Sequence, residues 1–157
     1  MWYRKFFKPK IKNIVDYELP KREACSAEII ISIYNGENNI RECLESLIPK
    51  LNSQLRLVIL DDNSTDNSLF LIKKIIKNKK NITLIKNDQN LGLSINLFRL
   101  VKSSNAIFCI RMDIDDIVVS NRFELQLDYM NKNKSVDILG SQAIYIDDKN
   151  EIIGKSN

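Results

Sequence analysis

Residues 55–66 read LRLVILDDNSTD, and this stretch decides how the chain folds. Residues 55–60 form a short, largely apolar run, which predicts a buried strand. Asp61 and Asp62 close it, and the polar NSTD that follows reads as a loop. Outward from this strand the same grammar repeats. IIISI at 29–33 is an earlier buried strand, ITLIK at 82–86 a third, and AIFCIRM at 106–112 a fourth. Helical spacing fills the intervals. Ile40, Leu44, Leu47 and Ile48 share one face from about Asn39 until Pro49 closes the helix. Leu69, Ile72, Ile75 and Ile76 mark the next helix, and residues 93–102 another. Asn121 and Glu124 have capping-box spacing for a fourth, reaching toward Asn133. VDILG at 136–140 is then expected as a strand, and AIYIDDKNEIIG at 143–154 as a hairpin turning around residues 148–150. Strands alternating with helices predict an α/β protein with a mostly parallel sheet.

The chain has 157 residues, 44% of them hydrophobic and 28% charged, with a net charge of +4. That composition suits a folded globular domain, and the modest charge does not mark a nucleic-acid binder. No apolar run approaches the roughly 18–20 residues of a membrane-spanning helix, and no signal-peptide pattern opens the sequence. The absence of histidine excludes a Ser-His-Asp triad and every His-ligated zinc site. Cys25, Cys43 and Cys109 are widely spaced and odd in number, which fits a reducing cytoplasm better than a disulfide framework. With four glycines, the chain carries neither G-x-G-x-x-G nor a P-loop.

The chemistry left to the chain is carboxylate chemistry, and the acids sit at strand ends. Asp61 and Asp62 follow the second strand, while Asp113, Asp115 and Asp116 follow the fourth. In an open parallel sheet those ends share one edge, where ligands bind. Two acidic clusters there repel unless a cation lies between them, and carboxylate oxygens suit Mg²⁺ or Mn²⁺. Such a cation can hold a diphosphate without a glycine-rich cradle. Asp66, and also Asp62, read alternatively as helix caps or turn formers. A calcium loop beginning at Asp113 fails, because Ile117 fills its fifth position and Val118 its obligatory glycine position. An Asp-nucleophile phosphatase using Asp113 is a weaker alternative, since the motif falls on a late strand and Ile117 follows it.

Four blocks together carry a resemblance: IIISIYNGENNIRECLESL, LVILDDNSTDNSLFLIKK, ITLIKNDQNLGLSINL and IRMDIDDIVVSNRFELQLDYM. In this order and spacing, across about residues 28–155, the chain resembles the N-terminal part of a family 2 glycosyltransferase. The resemblance implies a Rossmann-like GT-A fold with a C-terminal hairpin. It further implies transfer of a sugar from a nucleotide-diphosphate donor, a UDP-sugar above all, to a saccharide or lipid-linked acceptor. By the same resemblance Tyr34 borders the nucleotide, Asp62 accepts a hydrogen bond from the base and Asp113 lies near the ribose. Asp115 ligates a Mn²⁺ or Mg²⁺ that bridges the diphosphate, with Asn90 and Arg111 as further donor-side candidates. Ser32 stands where many relatives carry proline.

Residues 28–157 are therefore expected to be the nucleotide-sugar-binding domain, incomplete at its C-terminal end. The catalytic base of inverting relatives lies in a later segment, and Asp147 and Asp148 read better as hairpin-turn residues. A nucleotide-binding fragment without turnover is the alternative outcome. Residues 1–27 form a basic, aromatic extension. Trp2, Tyr3, Phe6 and Phe7 alternate with Arg4, Lys5, Lys8, Lys10 and Lys12. Residues 1–12 suit a peripheral contact at the inner face of a membrane, or a tail or strap packed on the domain.

Overall fold

The computed structural model describes residues 18–119, 121–147 and 149–156. They fall into two compact units, divided after Val118. The first holds a four-stranded parallel sheet in the order β3-β2-β1-β4, with β1 Ala27–Ile33, β2 Leu55–Asp61, β3 Ile82–Lys86 and β4 Phe108–Arg111. Central β1 and β2 are buried over nearly their whole length, as their largely apolar runs predict. Their register pairs Ile33 with Asp61, which brings the ends of both strands level. β4 is shorter than the apolar run suggested, ending at Arg111 opposite Ile30.

Helix α1, Ile40–Leu47, buries Ile40, Cys43, Leu44 and Leu47 on one face. Each such side chain contributes roughly 1.5–3 kcal/mol by leaving water. Pro49 does not continue the α-helix and sits inside a 3₁₀ turn at Ile48–Lys50. Helix α2, Ser68–Ile76, carries Lys73 and Lys74 in its last turn, where cations oppose the helix dipole. Helix α3, Leu93–Ser103, presents Leu100 to a cluster of Ile30, Val58 and Leu60, joined by Leu19, Ile85 and Leu97.

Residues 18–26 run against α3 and β1 as a strap. Arg22 donates to both oxygens of buried Glu28, and also to Ser103 Oγ and the Leu100 carbonyl. Glu18 pairs with Lys102. Residues 1–12, read as a membrane or partner contact, lie outside the described residues.

The second unit holds α4, Arg122–Lys132, and an antiparallel hairpin of β5, Ile144–Ile146, with β6, Ile152–Lys155. Two expectations fail here. Residues 136–140 form no strand: a strand persists only in a ladder, and nothing described pairs with them. Asn121 precedes α4 but makes no capping hydrogen bond, because its ψ of 16° is not the extended conformation that aims a cap. The hairpin itself forms as read. Asp147 Oδ1 accepts the N–H groups of Lys149 and Glu151, a turn-forming role, while Asp148 lies outside the described residues.

Candidate functional site

The carboxyl edge of the sheet is built from four loops, and the first two are sewn together. Asn35, in left-handed conformation at φ 52°, accepts the Thr65 N–H and hydroxyl through its Oδ1. Its own N–H donates to Ser64 Oγ, and the Gly36 N–H donates to Ser68 Oγ. Glu37 exchanges bonds with residues 66 and 67. The Glu37 N–H donates to Asp66 Oδ2, and the Asn67 N–H donates to Glu37 Oε2. Asp66 Oδ1 also accepts the Ser68 N–H two residues on, the turn-forming half of its alternative reading, while the N-cap of α2 is Asn67 and carries no side-chain cap bond. Burial pushes the Asp66 carboxyl upward, but the Ser68 hydroxyl and these N–H donors outweigh it and hold it below its ordinary value.

Asp62 lies at the centre of a second network. It is only 2% exposed. Asn87 Nδ2 and the Leu91 N–H donate to its Oδ1, at 2.7 and 2.9 Å, and the Gly92 N–H donates to Oδ2 at 2.8 Å. Burial drives its pKa up, yet donors from Asn96, Leu91, Asn87 and Gly92 prevail and the carboxyl sits below its usual range. Asp62 is thus not a helix cap but the anchor of the loop that follows β3. Neighbouring Asp61 is fully buried; its Oδ2 accepts the Ser64 N–H, while Oδ1 finds no partner among the described residues.

The fourth loop is the acidic turn after β4. The Asp116 N–H donates to the Asp113 carbonyl, closing the turn. Helix α1 holds it from below: Cys43 Sγ reaches the Asp113 carbonyl at 3.7 Å, and the Val118 N–H donates to Ser46 Oγ. The Cys43 thiol is pushed up to about 12 by burial and then by the carboxylates of Asp116 and Asp115. Arg111 Nη2 donates to both oxygens of Asp113, at 2.8 and 3.1 Å. Asp115 and Asp116 are exposed.

The fold therefore gathers Tyr34, Asp62, Asn90, Arg111, Asp113 and Asp115 on one edge of one sheet. Tyr34 is half-exposed directly after β1, and Asn90 is exposed in the loop that Asp62 anchors. Arg111 and Asp113 pair with each other. Asp62 makes its bonds with the 87–92 loop and not with the acidic turn. Sequence reasoning missed Asn87, Asn96 and Arg99. The signal was present: Asn96, Arg99 and Ser103 recur at helical spacing on the side of α3 that also buries Leu100. The clasp residues Asn35, Glu37 and Ser64 were also missed, since bonds between loops leave no periodicity.

A parallel α/β sheet whose carboxyl edge carries acids after β2 and again after β4 is the arrangement that the resemblance to the GT-A type implies. Comparison with known proteins agrees. The model of Glycosyl transferase family 2 matches residues 28–157, and the chain belongs to this family. It is similar to the Escherichia coli UDP-Glc:alpha-D-GlcNAc-diphosphoundecaprenol beta-1,3-glucosyltransferase WfgD, with 28% identity over 81% of this chain and 49% of that protein. Among solved structures, S. aureus TarS 1–349 in complex with UDP-GlcNAc superposes with a TM-score of 0.59 at 25% identity, covering 68% of this chain and 31% of TarS. The mannosyltransferase PcManGT from Pyrobaculum calidifontis, in complex with GDP-Man and Mn²⁺, shares the fold at a TM-score of 0.61 and 17% identity, covering 72% and 34% of the two chains. The chain spans less than half the length of the curated relatives it matches. The family leaves the phosphatase reading of Asp113 without support. No helix among the described residues is long and apolar enough to cross a membrane.

Proposed function

We propose that the carboxyl edge of this sheet binds the nucleotide diphosphate of a sugar donor, a UDP-sugar, for metal-dependent transfer to a saccharide or lipid-linked acceptor. The observation that carries the reading is the convergence of the Asp62-anchored loop and the Asp113–Asp116 turn on one edge. Tyr34, half-exposed beside them, offers its ring to the base. A carboxylate accepts about four hydrogen bonds. Asn87, Leu91 and Gly92 donate to Asp62, with Asn96 acting on the same carboxylate, and this reading assigns a base N–H to it as well. Asn90 and Arg111 flank the donor, and Asp113 faces the ribose.

No group of three or more His, Cys, Asp or Glu side chains that could hold a metal stands among the described residues. Mg²⁺ and Mn²⁺ fit the turn without one, since such ions keep waters and take one or two carboxylates together with substrate phosphates. Asp115 is an exposed donor of that kind, with Asp116 beside it. When bound, the cation supplies charge stabilisation to the departing diphosphate. The protein's part is to fix the turn through α1 and to keep Asp113 neutralised by Arg111. The acceptor hydroxyl attacks the anomeric carbon, giving its proton to a carboxylate base of the acceptor-binding segment, as the bond to the diphosphate breaks. A cytoplasmic location accords with three free thiols, and contact of residues 1–12 with an inner membrane face belongs to the same proposal.

Calorimetric titration of UDP with and without Mn²⁺ tests it. Mn²⁺ should tighten UDP binding by about tenfold or more, and Asp115→Ala should remove that gain while leaving metal-free binding in place. An undiminished Mn²⁺ effect in the variant would strip Asp115 of its assigned role.

A further inference from the structure

Asp62 does not hold its loop unaided, and the group behind it is a buried arginine. Arg99 is 8% exposed on α3. Its Nη1 donates to Asn87 Oδ1 at 2.8 Å and to Asn96 Oδ1 at 3.2 Å. Asn87 Nδ2 in turn donates to Asp62 Oδ1 and to Asn96 Oδ1. Asn87 and Asn96 are both buried, so the four side chains form one polar island between β2, the end of β3 and α3. The chain of bonds has a direction. Guanidinium hydrogens meet the amide oxygens, and the Asn87 amide hydrogens then face the carboxylate. A cation at one end and an anion at the other are joined through a polarised amide, which strengthens each bond in a low-dielectric interior.

The amide of Asn87 could be turned either way by its own torsion. Reversed, its oxygen would face the Asp62 carboxylate and its NH₂ the guanidinium, two repulsive contacts. Arg99 forbids that arrangement, since it carries donors only. We propose that Arg99 is a positioning residue for the donor site: by fixing the orientation of Asn87 it fixes Asp62, and through the Leu91 and Gly92 N–H groups the 87–92 loop that carries Asn90. This inference rests on the donor-site reading for its functional consequence, though the relay itself can be tested apart from it.

The experiment compares the wild-type chain with Arg99→Met, Arg99→Lys and Asn87→Ala by amide hydrogen exchange and by UDP titration. In Arg99→Met the Leu91 and Gly92 amides should exchange about tenfold faster or more, with β1 and β2 amides unchanged, and UDP affinity should fall by about an order of magnitude. Arg99→Lys, which keeps a charged donor, should recover most of both effects. Asn87→Ala cuts the relay while leaving Arg99 Nη1 its bond to Asn96 Oδ1, so it should reproduce the fast exchange even if Arg99→Met fails to fold. Unchanged Leu91 and Gly92 exchange in the folded variants, or acceleration matched throughout β1 and β2, overturns the proposal. If UDP does not bind the wild-type chain, the donor reading falls, while the exchange comparison still decides whether Arg99 holds the loop.

Discussion

At the scale of single residues, Asp62 shows how a charge is made tolerable inside a protein. Removal from water alone would favour its neutral form, yet three N–H groups aimed at its two oxygens favour the ion. The consequence for stability has a definite sign. The folded-state pKa lies below the ordinary 3.8, so Asp62 stabilises the fold fully above that value. The contribution drains away as pH falls through the folded-state pKa. Asp62→Asn places an amide donor against N–H donors and should cost about 2–3 kcal/mol at neutral pH. Urea midpoints measured from pH 7 downward should show a constant gap between the two proteins above pH ~5, narrowing only below ~4. A gap that changed between pH 5 and 7 would assign the linkage to another group.

At the scale of elements, the loops are built as carefully as the strands. The β1–α1 and β2–α2 loops share side-chain bonds in both directions, and the acidic turn leans on the first of them at Gly36. A Cβ there would lie 2.9 Å from Ile33 Cδ1 and 3.1 Å from Ile114 Cγ2. Gly36→Ala should therefore cost about 1–2 kcal/mol in chemical denaturation. The sheet was legible because burial on two faces writes a largely apolar run. The edge was legible because charge abruptly ends that run, as at Leu60-Asp61-Asp62. The role of Asn87 was not, since an asparagine after a strand looks like a turn former until α3 delivers Arg99 to it. The false strand at 136–140 has the same origin: Val136, Ile138 and Leu139 satisfy a pattern, but Ile138 is 90% exposed and lacks a ladder to join.

At the scale of the whole molecule, the two units differ in how much apolar surface they hide. Through Val118, β1 and β2 are sealed between neighbouring strands and helices. From Val119 onward, Leu125, Ile144, Tyr145, Ile152 and Ile153 stay largely exposed, and a two-stranded hairpin is marginal by itself. Hydrogen exchange should accordingly find β5 and β6 amides far less protected than those of β1 and β2; equal protection would contradict the division. One loop feature also lets global opening leave a chemical trace. Asn35-Gly36 is the dipeptide in which an unfolded backbone most readily cyclises to a succinimide. In the fold, Asn35 Oδ1 is bound by Thr65, and the Gly36 nitrogen that would attack donates its hydrogen to Ser68. Ageing of this linkage then counts time spent unfolded. Peptide mapping of stored protein should find Asn35 intact in native buffer and deamidated after incubation in denaturant, a slow clock wound by the same bonds that shape the loop.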